Sequence, residues 1–431
     1  MVKALHPGTS SEDHLAPAIP LSRITSIDAL RGFVMFMMIF VNDLAGASDE
    51  IVPGWMKHFG KGDGMTFVDL VFPAFLFIVG MSIPFALGSR LAKGEPLWKI
   101  FLHVATRTLA LLLLGIMMVN ESPNTQAMGW SATQWSALMY LSAIFSFCEI
   151  FPASSARREQ SAKLPVWQYV SGALRLVGFA LLIWLAFAFR GRNGRHIITL
   201  SPFSINHEWY GILGLIGWAY LVASIIFLVF RGNRTALLGC TVLLMSFYPA
   251  DKTGVFDHFF LNNYVGIGDT LGSQAAITVA GVLLASILTA ADTITLGPRI
   301  RFTLLFIIGF AIAAVLLRGL YGINKDDATP SWCLWSCVMT AALWLIFYFL
   351  SDVGHLTFIS KPFAIAGQNV LLAYLISEGL DSFLNLLHLG DWYSGLAEPN
   401  LLNACARSAG CAAAILAFTA LLNRVGFRLK L

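Results

Sequence analysis

Charge is scarce in this chain. Asp, Glu, Lys and Arg together supply 12% of its 431 residues, against roughly 25% in soluble domains. A soluble chain of this length would divide into two or three domains with polar surfaces, and there is too little polar surface here to cover one. Nor does it open on an apolar leader. Residues 1–22 hold Pro, Ser, Glu, Asp and His, which excludes a signal peptide and reads as a cytoplasmic tail. There is no glycine-rich phosphate loop, no G-x-S-x-G elbow and no dinucleotide fingerprint. The six cysteines all lie in apolar blocks. Cys333 and Cys337 share a predicted helix but have no neighbouring His or third Cys, so they read as small hydrophobes. His103, His196, His207, His258, His355 and His388 lack ligand spacing, and no metal is expected. The basic residues behind the formal charge of +4 are spread over short loops, which leaves no nucleic-acid footprint.

What the chain has is apolar bulk. Hydrophobic residues make up 57% of it, with 33 Phe and 12 Trp. They fall in blocks about 20 residues long, the length that crosses a ~30 Å hydrocarbon core. About twelve spans are expected, with ten as the lower bound: Ile27–Gly46, Thr66–Leu87, Lys99–Val119, Ala132–Ile150, Val170–Phe189, Tyr210–Phe230, Thr235–Tyr248, Gln274–Ile294, Thr303–Leu320, Trp332–Phe349, Phe363–Leu387 and Ala404–Leu422. Lipid offers no partner for backbone N–H and C=O groups, so the spans must be helical. The predicted fold is an all-α polytopic membrane helix bundle, with residues 23–431 as one membrane domain and no internal repeat. Lys and Arg cluster at alternate ends, at Arg90 to Lys99, Arg157 to Lys163, Arg299 to Arg301 and Arg424 to Lys430, with the three Arg of Arg190 to Glu208 as the exception. That places both termini in the cytoplasm and the loop Ala47–Met65 outside. Residues Asp251 to Gly272, with one Lys against three Asp, belong to the same outer side.

Polar groups at membrane depth are costly and mark candidate sites. Arg23, Asp28 and Arg31 open the first span. They can form an end-of-helix ion pair or face an anionic cofactor, since guanidinium binds phosphate well. Asn42 and Asp43 close the same span. His58 follows in the loop, and Asp69 lies in the next apolar span, where an unpaired carboxylate would be expensive. An imidazole there suits proton removal from an attacking amine, although a solvated loop histidine is the commoner reading. A third cluster, Arg318, Tyr321, Asn324 and Lys325, sits at the outer end of the ninth span. In the eleventh, Gln368 and Asn369 are near the inner end. Glu378 and Asp381 are near the outer end, where snorkelling into water accounts for them.

The segments RITSIDALRG (residues 23–32), FVND (40–43) and KHFGKGDGMTFVDLVFPAFLFIVG (57–80) resemble the heparan-alpha-glucosaminide N-acetyltransferase family and its bacterial relatives. WYGILGLIGWAYL (209–221), GINKDDATPSWCLW (322–335) and the stretch around Gly367, Gln368 and Asn369 extend the likeness over nearly the whole chain. The chain differs from the animal enzyme in lacking a large N-terminal lumenal segment and in a longer interval between Asn42 and His58. The resemblance implies a multi-pass enzyme of the bacterial inner (cytoplasmic) membrane. Its acyl donor would be cytoplasmic acetyl-CoA, and its acceptor the amine of glucosamine or a glucosamine-containing oligosaccharide on the far side. By position, His58 is similar to the catalytic histidine, Asn42 to the asparagine beside it and Asp69 to the motif aspartate, taken as orienting. CoA phosphates are expected near Arg23, Arg31 and Arg107, with Asn369 also at the cofactor. Substrate contact or orientation is expected of Asp43, Asp69, Asn324 and Lys325. An amino-sugar or chitooligosaccharide transporter and an O-acyltransferase acting on a surface glycan are the rival readings. Partners beyond acetyl-CoA, the sugar and membrane lipid are left open, including a second copy of the chain.

Overall fold

The computed structural model describes residues 24–119, 123–150, 164–191, 194–201, 203–205, 209–293 and 295–431. Arg23 and the expected tail, residues 1–22, lie outside the described residues. The helices are α1 (Thr25–Leu44), α2 (Val68–Ala92), α3 (Leu97–Val119), α4 (Thr125–Met128), α5 (Ala132–Ser146), α6 (Leu164–Ala188), α7 (Gly211–Phe230) and α8 (Arg234–Lys252). They continue with α9 (Ala275–Thr289), α10 (Leu296–Tyr321), α11 (Pro330–Tyr348), α12 (Thr357–Ala366), α13 (Val370–Leu386), α14 (Gly390–Gly395) and α15 (Leu401–Arg424). Two short antiparallel pairs complete the described chain: β1 (Cys148–Ile150) with β4 (Phe427–Leu429), and β2 (Ile198–Leu200) with β3 (Phe203–Ile205).

Each of the twelve apolar blocks contains helix, but not all are spans of one kind. Among the described residues, eight helices are long and apolar enough to cross a membrane. They are α2, α3, α6, α7, α9 with the π-helical turn before it, α10, α11 with its own continuation, and α15. The pair α12 and α13, bent by 78°, would make a ninth. The three blocks that fall short do so for visible reasons. In α1 the charges of Asp28, Arg31 and Asp43 interrupt the apolar run. The 15 residues of α5 reach only about 22 Å. In α8 the polar end Pro249–Lys252 follows a short apolar stretch.

The core is formed by α1, α2, α7, α9 and α11. Helix α9 carries no charged residue and is buried along almost its whole length. It lies against α2, and glycine permits the approach. A Cβ on Gly80 would strike the Thr278 carbonyl oxygen, and one on Gly281 would strike that of Phe77. Small residues at helix crossings serve the same end in other membrane bundles. The periphery is apolar outward: Leu305, Ile308, Ile312, Leu316 and Leu320 of α10 are all exposed. A face of that size is costly in water and suits lipid. At the start of α1 the backbone N–H groups of Thr25 and Ser26 donate to the Asp352 carboxylate at 3.2 and 3.1 Å. A side chain more than 300 residues away in sequence thus caps a helix that has no local cap.

Candidate active site

Helix α2 begins just after Thr66, whose hydroxyl accepts the Val68 N–H at 3.2 Å. Asp69, in the first turn, is fully buried and would be ruinous there unpaired. Its Oδ1 lies 2.7 Å from His58 Nδ1. Its Oδ2 accepts the backbone N–H groups of Phe59 and Thr66, each at 3.0 Å. The loop around His58 is therefore wound about this one carboxylate, and the Thr66 hydroxyl tightens it by donating to the Lys57 carbonyl at 2.7 Å. With Nδ1–H given to Asp69, the imidazole's lone pair sits on Nε2. His58 is 52% exposed where Asp69 is 0%, and it lines a cavity of about 490 Å³.

Lys325 reaches the same ring from the loop between α10 and α11. Its Nζ lies 3.0 Å from His58 Nδ1 and 3.3 Å from Nε2. A clasp brings the two loops together. Asp63 accepts the Ile323 N–H at 2.8 Å and Arg318 Nε at 3.1 Å, and the Gly64 N–H donates to the Ile323 carbonyl at 2.9 Å. The Ile323 N–H and the Arg318 guanidinium hold the Asp63 carboxyl below the usual range. Gly322, at φ 66°, makes the turn out of α10 that no side chain would adopt cheaply.

Burial pushes the Lys325 ammonium below the usual lysine range, against the opposing pull of Asp69 and Asp326. The unfolded chain holds that proton more tightly than the folded one. Protonated Lys325 therefore costs stability at neutral pH, and the cost fades as pH rises through the folded and then the unfolded pKa. Lys325→Met keeps the length without the charge. Its melting temperature should exceed the parent's at pH 7, with the difference shrinking toward pH ~10.4. A gain independent of pH would contradict this.

Asn42, in the last turn of α1, lines the His58 cavity and donates from Nδ2 to Glu378 Oε1 at 2.9 Å. Glu378, assigned from sequence to snorkelling, is thus a neighbour of the site. No local pattern could have shown a partner 336 residues away. Asp43 points elsewhere. It accepts from Tyr393 Oη and Ser408 Oγ, each at 2.6 Å, and from Arg407 Nε at 3.1 Å, and it lines a third cavity, of about 340 Å³, to which Asn42 also contributes. It ties α1 to α14 and α15. Asn324 braces the two loops, its Oδ1 accepting the Asp327 N–H at 3.0 Å and its Nδ2 donating to the Gly62 carbonyl at 3.4 Å.

The other end of the bundle holds a cavity of about 410 Å³ that Arg31, Arg107, Asn369 and Lys430 help to line. Arg31 bonds Asp28 at 3.1 Å and Ser82 at 2.5 Å. Arg107 stacks on Tyr220 at 4.7 Å, and its buried Nε has no hydrogen-bond partner. Asn369 stitches the bend between α12 and α13 to α15 and β4, through Asn423 at 3.1 Å and the Leu429 N–H at 3.3 Å. Met38 and Ile212 line both this cavity and the His58 cavity.

His58, Asp69, Asn42, Arg31 and Arg107 all come from the segment in which the family is decided. The chain belongs to the family described as Domain of unknown function (DUF5009), which matches residues 23–265. The chain is also similar to the heparan-alpha-glucosaminide N-acetyltransferase of Homo sapiens, at 32% identity over 108 residues, 25% of this chain and 15% of that protein. The Mus musculus enzyme is 30% identical over 109 residues, 25% and 16% of the two chains. The autoinducer 2 import system permease protein LsrD of Klebsiella pneumoniae is 32% identical over 122 residues, 26% of this chain and 35% of the permease. These matches span between 15% and 35% of the relatives' own lengths.

Proposed function

We propose that this DUF5009 protein is a membrane acetyltransferase that moves acetyl from cytoplasmic acetyl-CoA to the amine of glucosamine, or of a glucosamine-containing sugar, on the far side of the cytoplasmic membrane. One observation carries the reading. Cationic side chains line a cavity at one end of α1, a carboxylate-held imidazole faces a cavity at the other, and the two cavities share lining residues. The likeness to the two N-acetyltransferases supports it.

The residues at the Arg107 end fit a CoA. A buried guanidinium N–H without a partner suits a phosphate oxygen. The wall beyond it, with Met35, Phe75, Leu111 and Ile216, suits a long uncharged arm. Acetyl-CoA supplies the acetyl group as a thioester. At the His58 end, the acceptor amine displaces Lys325 Nζ, 3.3 Å away, from Nε2, which takes the proton that the amine loses as its nitrogen bonds to the acetyl carbon. Asp69 holds the ring in that tautomer and offsets the charge it gains. An amide N–H of Asn42 donates to the acetyl oxygen as negative charge gathers there. His58 then returns the proton to the departing sulfur, so no charge is stranded.

Mass spectrometry of purified protein incubated with acetyl-CoA and glucosamine should find N-acetylglucosamine. Arg107→Ala should raise the KM for acetyl-CoA by about tenfold or more, the worth of a charged hydrogen bond, with kcat little changed. A fall in kcat at unchanged KM would place Arg107 outside the donor site. The likeness to an import permease favours a second reading, a transporter. Glucosamine uptake into proteoliposomes without acetyl-CoA would establish that instead.

A further inference from the structure

The wall of the His58 cavity away from α1 is built by an unusual element. Residues Ile267–Gln274 form a π-helix, a rare conformation that recurs at functional sites. Its wide turn closes over two glycines. A Cβ on Gly266 would strike Asp269 Oδ1, and one on Gly268 would press on the Asp251 side chain. The backbone is thereby shaped around Asp269, a half-buried carboxylate that lines the cavity. Asp269 Oδ1 accepts the Thr270 N–H at 2.5 Å, which leaves Oδ2 for another donor.

Two buried polar atoms of residues in the same cavity wall are unmatched. Gln274, 8% exposed, presents an Oε1 with no hydrogen-bond partner. Trp332, fully buried, presents an Nε1–H with none. Both residues line the cavity that His58 faces. A buried acceptor and a buried donor left unpaired are each unfavourable. A hydroxyl group can serve both, accepting from the indole and donating to the amide oxygen. The carboxylate in the same wall favours a cation.

We propose that Asp269, Gln274 and Trp332 form the acceptor subsite, which takes a hydroxyl-rich ring bearing an amine. The inference rests on the acetyltransferase reading and adds the residues that choose its acceptor. Asp269 binds the ammonium form and so prefers an amino sugar to a hydroxyl-only sugar; it takes the surplus proton and yields it to water, so the amine that attacks the thioester is neutral and His58 Nε2 has a single proton to remove. Gln274 and Trp332 share a ring hydroxyl and fix the sugar's orientation toward His58 Nε2.

The test is calorimetric titration of glucosamine and of glucose into the purified full-length protein without acetyl-CoA, alongside steady-state kinetics with it. Wild-type protein should bind glucosamine at least tenfold more tightly than glucose. Asp269→Asn should erase that preference and raise the KM for glucosamine about tenfold, with the KM for acetyl-CoA unchanged. Gln274→Met should weaken both sugars alike. Thermal melts identify any variant that fails to fold, and Asp269→Ser and Gln274→Leu then replace it with the same readout. Absence of glucosamine binding to the wild type, or variants that bind as it does, would overturn the subsite. Binding that follows this pattern without any acetylation would leave the subsite standing and remove the acetyltransferase reading.

Discussion

Replacing His58 with alanine should lower acetyl transfer to glucosamine by about 10²–10⁴-fold, the usual worth of a positioned general base. The ring is half exposed on a loop, so its removal opens no core cavity. Its loss strands Asp69 Oδ1 in a buried position, so the variant should melt below the parent, and His58→Asn, whose amide can still donate to Asp69, should melt closer to it while remaining inactive. Both should keep the parent's KM for acetyl-CoA, because the cationic side chains of the donor cavity lie at the other end of α1. Steady-state rates with both substrates check each part. Turnover within a few-fold of wild type would remove His58 as the base.

Asp69→Asn should be nearly as damaging, for a different reason. The carboxylate of Asp69 accepts three hydrogen bonds from backbone and ring at 2.7 to 3.0 Å. An asparagine oxygen in the Oδ2 position can still accept the Phe59 and Thr66 N–H groups, so the loop should keep its shape. The amide nitrogen would then face His58 Nδ1 and donate to it. That fixes the ring's proton on Nε2, where it cannot accept another. The same exchange in a Ser–His–Asp triad lowers kcat on the order of 10⁴-fold. A loss of that scale with unchanged melting identifies Asp69 as a positioning residue for the base. Asp69→Ala should in addition lower stability, since it takes the acceptor from two partly buried N–H groups. If Asp69→Asn is active and only Asp69→Ala is impaired, the carboxylate is structural.

Much of this architecture was legible in the chain. Every apolar block of span length contains helix, because the block reports directly on what lipid and core require. Crossing was harder to read. Three charges within α1 and the brevity of α5 give helices that fail as independent spans, yet α1 is central to the fold. Asn42 and Asp43 show where linear reading stops. Neighbours on a helix point about 100° apart, so one faces the His58 cavity and the other is held by Arg407, Tyr393 and Ser408. Asp69 announced itself as a carboxylate in an apolar run, but its distance from His58 was not in the spacing. The place of Lys325 over His58 depends on Asp63, which clasps a loop some 260 residues away in sequence. The π-helix was visible only as part of an acidic stretch, because a wide turn built over Gly266 and Gly268 has no periodicity to betray it.

The most direct test is sidedness. Protein would be reconstituted in one orientation in sealed vesicles, with labelled acetyl-CoA on the side of Arg107 and glucosamine on the side of His58. Labelled N-acetylglucosamine should form on the His58 side, while acetyl-CoA stays where it was placed. Product made only when both substrates share one side, or glucosamine crossing unmodified, would contradict transfer through the bundle.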